Sequence, residues 1–448
     1  MPPTGQVLAE FATSLASRDI PDVVREQAIG AIVDTVGVSI FGSTLQWSKI
    51  VIDYALHYGK NGTSTLLGTR HRVGAPFAAL ANGALAHAFE MDNLRQPSAG
   101  VHPGSTLGPA LFAIGEEVGA SGEAVVTAFV AGCEIMSRIG DTAANSAEQL
   151  GFHSPGLTGV FGSTVVAGRL LGLTANEMAQ AFGIAGSLCS GLLAFSKAGN
   201  GGTVKRLHTG RASEGGVLAA HLAKGGFEGP DVILEGKFGF FDAFAREPRM
   251  ERLLKDLGTQ WETSKICVKR YPCHITAHTP VQALQDLRAE HIFDAGDVVE
   301  MQIATSDKVL SHHNITQPGD IGTAQYSLPF CMAIALYRDP SEPASFLEDP
   351  HEDAEIVDMA QRVRLTLNPA SLPPGPAWAT VLTVVLKDGR RLRAERSDFR
   401  GAPSNPMSQA ELDGKFLSLV TNVMPDAAGL LRRLRDIPNI DNVSRVFA

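Results

Sequence analysis

Little in this sequence can staple a fold or span a membrane. Its 448 residues include five cysteines, Cys133, Cys189, Cys267, Cys273 and Cys331, odd in number, widely spaced and without a C-x-x-C pair. That spacing argues against a disulfide framework or a zinc knuckle and in favour of buried free thiols. No apolar run approaches the roughly 20 residues that cross a bilayer. The opening segment MPPTGQVLAEFATSLASRD has no basic start leading into an apolar core, so no signal peptide is expected and the chain is assigned to the cytoplasm. Positive charge is also short: 38 Lys and Arg against 47 Asp and Glu give a net charge of −9. Such a chain has no general attraction for nucleic acid or anionic membrane, and an anionic ligand must meet a local group of cations. The G-x-S-x-G elbow, a G-x-G-x-x-G opening a helix after a strand, the Walker order and the kinase signatures are all absent.

Glycine, by contrast, is abundant: 46 residues, above the usual share of roughly 7%. Most of it lies inside alanine-rich apolar segments such as GVFGSTVVAGRLLGL and RASEGGVLAAHLAKGG. Small residues at three- and four-residue spacing let helix backbones approach closely, which predicts a tightly packed helical domain. The segment PDVVREQAIGAIVDTVGVSIFG sets Val24, Ala28, Ile32, Val36 and Ile40 at four-residue steps. Similar helical segments are predicted near 46–58, 75–90, 105–117, 122–139, 158–171, 175–194 and 205–224, with no fixed period and hence no solenoid. After about residue 265 the pattern changes. DVVEMQIAT and QRVRLTLN alternate as half-buried strands do, and WATVLTVVLKDGRRLRAER reads as a hairpin through Asp388-Gly389. Helical stretches are expected at 279–291 and 324–337, and again after about 400, where SQAELDGKFLSLV opens on a serine cap. At this length two domains are the expectation. The predicted fold is mainly α: a large all-helical domain formed by both chain ends, 1–265 and 398–448, with a smaller α+β domain inserted at 266–397.

Four segments carry the candidate chemistry. FEMDNLRQPSAGVHPG gathers Glu90, Asp92, Arg95 and His102 behind a helical run. Glu90 follows His87 by three residues, so both are expected on one side of the helix's last turn. His102-Pro103 must be extended, and Ser105 is expected to cap the next helix. Either a helix simply ends in water here, or it delivers acids, and its loop a histidine, to a pocket wall. GFHSPGLTGVFG repeats the theme with His153 ahead of a helix, as a structural loop residue or as a proton carrier near bound anions. KAGNGGTVKRLHTGRASEGG leads through glycines to Thr203, an expected cap, and then to Lys205, Arg206, His208 and Arg211. That is a solvated basic helix end or a site for carboxylates. VKRYPCHITAHTP places Lys269 and Arg270 before Tyr271-Pro272, with His274 and His278 four apart on an expected helix. The pair lacks the Glu of H-E-x-x-H and a third ligand, so no metal site is predicted. Tyr326, in TAQYSLPF, is expected to open an apolar helix.

In chain order, the acidic run before HPGSTLGPAL, then GFHSPGLTGVFGSTVVAGRLLGL, VKRLHTGRAS, VKRYPCHITAH and AQYSLP resemble the MmgE/PrpD family over nearly the whole length. That family includes 2-methylcitrate dehydratase, cis-aconitate decarboxylase and iminodisuccinate epimerase. The resemblance implies a helical domain with an α+β lid, usually in a homodimer, and chemistry on a small polycarboxylate with neither metal nor organic cofactor. It implies His102, His153, Lys205, Lys269 and Tyr326 as pocket residues; taken with the segments above, catalytic roles are expected for these five and Asp92, and substrate contacts for Glu90, Arg206, His208, Arg270 and His274. Members commonly show D-x-D-D followed by a hydroxyl residue, whereas here the run is Glu90-Met91-Asp92-Asn93-Leu94. The implied activity is a lyase that abstracts a proton next to a carboxylate. Dehydration of the 2-methylcitrate dehydratase kind stands first. Decarboxylation of cis-aconitate type, epimerisation of an aspartate-derived diacid, and carboxylate binding without catalysis are the alternatives.

Overall fold

The computed structural model describes residues 2–97, 100–144, 146–196, 202–348, 350, 352–371 and 378–448. It is mainly α with a smaller α+β part. Two compact units divide the chain: Met1–Ala88, Asp92–Val268 and Ser408–Ala448 form one, and Phe89–Met91 with Lys269–Met407 the other.

The first unit is a stack of closely crossing helices, among them Asp22–Gly42, Ala75–Ala86, Pro103–Val118, Gly122–Ala143, Ser154–Leu170 and Val204–Lys224. Pro103 and Pro155 sit in the first turns of their helices, where a missing N–H costs nothing. The alanine and glycine faces let backbones touch. A Cβ on Gly210 would lie 2.2 Å from the Leu80 carbonyl oxygen, and one on Gly83 would lie 2.6 Å from Gly210 Cα. The Val204–Lys224 and Ala75–Ala86 helices therefore meet through bare backbone, and Gly216 meets Ser163 of Ser154–Leu170 the same way. This crossing brings Lys205 and His208 close to the end of the Ala75–Ala86 helix. At the far end of the chain, Ser408 and Glu411 cap Gln409–Val420 reciprocally, and Lys415 Nζ reaches Asp34 Oδ1 at 2.6 Å.

The second unit holds a four-stranded sheet in the order Val363–Leu367, Val298–Thr305, Thr380–Leu386, Arg391–Arg396. The first pair is parallel and the others antiparallel. Met301, Ile303 and Thr305 point inward while Gln302 is half-buried, as the alternation predicts. Gly389 turns the hairpin at φ +89°. The His278–Glu290 helix packs on the two hairpin strands and on the Leu328–Tyr337 helix.

Several expected helix ends are displaced. The Ala75–Ala86 helix stops four residues early, with His87 as its C-cap. Glu90 adopts φ +57°, so it shares no helical face with His87. Ser105 lies inside Pro103–Val118, whose N-cap is His102, and Thr203 holds an N-cap position without a side-chain cap bond. The helix predicted to reach residue 194 ends at Gly186. The 324–337 stretch is two helices, Ile321–Tyr326 and Leu328–Tyr337, because Ser327 caps the second and Pro329 occupies its first turn. Tyr326 thus closes a helix instead of opening one. His274 caps the short 3-10 turn Ile275–Ala277, and His278 begins the next helix. All five cysteines are free, and all but Cys189 are buried. Among the described residues no single helix is long and apolar enough to cross a membrane.

Candidate active site

In the first unit the chemistry converges on one carboxylate oxygen. Asp92 Oδ2 lies 2.9 Å from His87 Nδ1, 2.8 Å from His102 Nδ1 and 2.8 Å from Ser105 Oγ. The neighbouring Asn93 fixes this loop: its Oδ1 accepts from the Gly104 N–H, and its Nδ2 donates to Asp34 Oδ2 at 2.9 Å. An amide suits that place, since a carboxylate at 93 would face Asp34 directly. The departure of the acidic run from the family pattern is therefore accommodated locally.

Burial works against the Asp92 carboxylate, but the two imidazoles and their hydrogen bonds outweigh it and hold the group well below the usual carboxylate range. An ionised carboxylate only accepts, so both imidazoles present Nδ1–H to it, and His87, kept neutral by burial, carries its free lone pair on Nε2. His87 is fully enclosed. Burial pulls its pKa down to about 3, with Asp92 opposing and Lys205 assisting. The His102 side chain keeps 12% exposure and is the more accessible of the two.

Beside this pair, His153 at the N-cap of Ser154–Leu170 places its Nδ1 3.0 Å from Nδ1 of His208, so one donates and the other accepts. The His87 ring centre is 5.9 Å from that of His153 and 5.2 Å from that of His102. Burial, then the neighbouring imidazoles of His87 and His208, keep His153 well below the ordinary histidine value. His208 is lowered too, by burial and by Lys205 one turn earlier on the same helix. The first unit thus gathers Asp92, His102, His153 and Lys205 around His87, with His208 behind His153. The glycine loop ahead of Lys205 falls at 197–201, outside the described residues.

In the second unit Lys269 Nζ meets Glu90 Oε2 at 3.1 Å, both residues buried. Gln325 Nε2 donates to the carbonyls of Phe89 and Pro272, which holds Glu90's segment beside that of Lys269. His274 stacks on His313 with ring centres 4.2 Å apart, and the Tyr326 ring lies 4.7 Å from that of His274. His313 Nδ1 is 2.9 Å from the Tyr326 carbonyl oxygen.

Two predicted substrate cations are placed otherwise. Arg206 stacks on Trp47, at 5.2 Å from the ring centre, and donates to the carbonyls of Ala88 and Gly202. Arg270 stands over Tyr271 and lines a cavity of about 620 Å³ with Gln282, Arg288 and Arg338. Two residues of these clusters had no assigned role in the motifs, His87 and His313. The first was visible beside the acidic run; the second sits in a loop without a pattern.

Among the described residues, His87, Asp92 and His102 have the donor types and mutual distances that can hold a metal ion. Their facing atoms, however, are already joined as N–H donors and carboxylate acceptor, so an ion would have to displace two protons. The arrangement is that of a hydrogen-bonded acid–base cluster.

A mainly helical protein that buries one carboxylate beneath two imidazoles, with a second histidine pair alongside, has the equipment of an acid–base enzyme. The chain belongs to the MmgE/PrpD family: the family's N-terminal domain matches residues 6–253 and its C-terminal domain residues 271–434. It is 29% identical over 381 residues to a cis-aconitate decarboxylase of Aspergillus terreus, covering 80% of this chain and 76% of that protein. A human cis-aconitate decarboxylase is 25% identical over 455 residues, covering 98% and 93%. A 2-methylcitrate dehydratase of Cupriavidus necator is 26% identical over 281 residues, covering 60% and 56%.

Proposed function

We propose that this member of the family is a cofactor-independent lyase that moves a proton at a carbon next to a carboxylate of a small polycarboxylate. The observation that carries this reading is the Asp92 oxygen shared by His87, His102 and Ser105. It leaves the accessible imidazole, His102, with an oriented ring and an available Nε2, as a general acid or base requires. The neutral His153–His208 pair supplies a second proton carrier. The resemblance singles out Lys205, Lys269 and Tyr326, and the reading assigns carboxylate binding to the two lysines and proton delivery to Tyr326.

Decarboxylation is the preferred chemistry, ahead of the dehydration that the motifs ranked first. The human decarboxylase spans 98% of this chain, whereas the bacterial dehydratase spans 60%. In such a step the C–C bond to one carboxylate breaks and carbon dioxide leaves. The bonding pair stays on the carbon skeleton, which then takes one proton from an acid. Cations near the remaining carboxylates stabilise the charge that builds between these events. Dehydration is the second reading, favoured by the likeness to the 2-methylcitrate dehydratase; there a carbon loses its proton and hydroxide leaves from its neighbour.

Incubation in D₂O with cis-aconitate, citrate, 2-methylcitrate and aspartate-derived diacids, followed by NMR, separates the cases. Loss of a carboxyl carbon with deuterium on the product identifies the decarboxylase. New vinyl signals with every carbon retained identify the dehydratase, and deuterium at a stereocentre without net change an epimerase. No change in any acid would reject the enzymatic reading in favour of a binding protein.

A further inference from the structure

His87 is the most enclosed imidazole of the first unit's cluster. Its side chain is fully buried, and its Nδ1 takes the same Asp92 oxygen that His102 and Ser105 use. Its Nε2 has no hydrogen-bond partner among the described residues. Charged and titratable groups face it from every side: Asp92 from the loop after its own helix, His102 at the start of Pro103–Val118, His153 at the start of Ser154–Leu170, and Lys205 from Val204–Lys224. His208 stands behind His153.

We propose that His87 is a positioning residue: by donating Nδ1–H to the oxygen that His102 also uses, it fixes the Asp92 carboxylate and, through it, the ring orientation and Nδ1–H tautomer of His102. The proposal rests on the proton-transfer reading above. Three donors converge on Oδ2, one from the end of the Ala75–Ala86 helix and two from the start of Pro103–Val118. Without His87 the carboxylate loses the donor that approaches from the end of the Ala75–Ala86 helix, while His102 and Ser105 both approach from the start of Pro103–Val118. Neutrality matters as much as the bond. A second imidazolium here would oppose a proton arriving at His102, whereas burial keeps His87 a donor that carries no charge near neutral pH. An apolar residue would fill the space without holding the oxygen.

The test compares His87→Leu, which removes the donor, with His87→Asn, whose amide nitrogen stands two bonds from Cβ as Nδ1 does. With the substrate identified by the D₂O panel, kcat falls about tenfold or more in the Leu variant, a usual penalty for a slightly misplaced group, while KM changes little. The Asn variant recovers most of the loss. A readout that needs no substrate is ¹⁵N NMR of the histidine side chains in the full chain. In the wild type, His87 is the neutral Nδ1–H tautomer from pH 5 to pH 8, and His102 shows Nδ1–H. In His87→Leu the His102 signals become a mixture of tautomers. The wild-type spectrum decides even if the Leu variant fails to fold: a charged His87 at pH 7, or one protonated on Nε2, overturns the proposal. So does a folded Leu variant with wild-type kcat and an unmixed His102. Failure of every acid in the panel overturns the functional reading alone, since the spectra are independent of turnover.

Discussion

Asp92, His102 and Ser105 show how side chains thirteen positions apart become one reacting group when a helix starts where a loop ends. Ser105 serves the carboxylate and not the helix cap, because the N-cap position belongs to His102. His153 is the second candidate proton carrier. His153→Gln keeps polarity and approximate size but removes the titratable proton, and turnover should fall by about 10² or more, measured as kcat on the substrate found. An unchanged kcat would return His153 to a structural role. Lys205 separates binding from chemistry. If its ammonium stabilises charge that appears only on the way to the transition state, Lys205→Met lowers kcat as well as raising KM. Unchanged kcat/KM would remove it from the site.

Helices in the first unit are held by what their glycines leave out. Gly210→Ala drives a methyl into the Leu80 carbonyl and should cost about 1–3 kcal/mol, read as a lower Tm. Gly414→Ala, on the exposed face of Gln409–Val420 with nothing within 4 Å, should instead stabilise by up to about 1 kcal/mol, read as a higher Tm. Equal effects of the two would contradict the close-crossing picture. The helices and strands themselves were legible from period: Asp22–Gly42, Gln46–Tyr58, Val204–Lys224 and the 380–396 hairpin lie where the pattern put them. Their ends were less so, because side-chain contacts outside the helical period set them. The Ala75–Ala86 helix stops because His87 is drawn to Asp92 and Glu90 to Lys269, partners no local propensity encodes. The break at Tyr326 follows from Pro329, which belongs in the first turn of a new helix. Motif spacing found Asp92, His102, His153 and Lys205, which share a cluster. It also grouped Arg206 with them, whose stacking on Trp47 depends on a residue far away in sequence.

For the molecule as a whole, the buried histidines tie stability to pH. His87 has a folded pKa of about 3 against an ordinary value of 6.5. Its folded value is the lower one, so below 6.5 the unfolded chain binds a proton that the folded chain refuses. Stability is therefore lost as pH falls from about 6.5 towards 3, and His153 acts in the same direction. Asp92, also depressed, adds to the loss further down as it is forced to protonate. Thermal unfolding in buffers from pH 7 to pH 4 should show Tm falling throughout, less steeply in His87→Asn, which cannot titrate. A Tm independent of pH over that range would contradict the burial of neutral imidazoles.

The most direct test of the central claim, proton transfer through His102 without a metal or cofactor, follows cis-aconitate in D₂O with EDTA-treated wild-type protein and with His102→Gln. The wild type should release carbon dioxide and leave deuterium on the product at a rate unaffected by chelation, while the variant should be slower by about 10² or more. Full activity in His102→Gln, or activity lost on chelation and restored by a divalent ion, would contradict it.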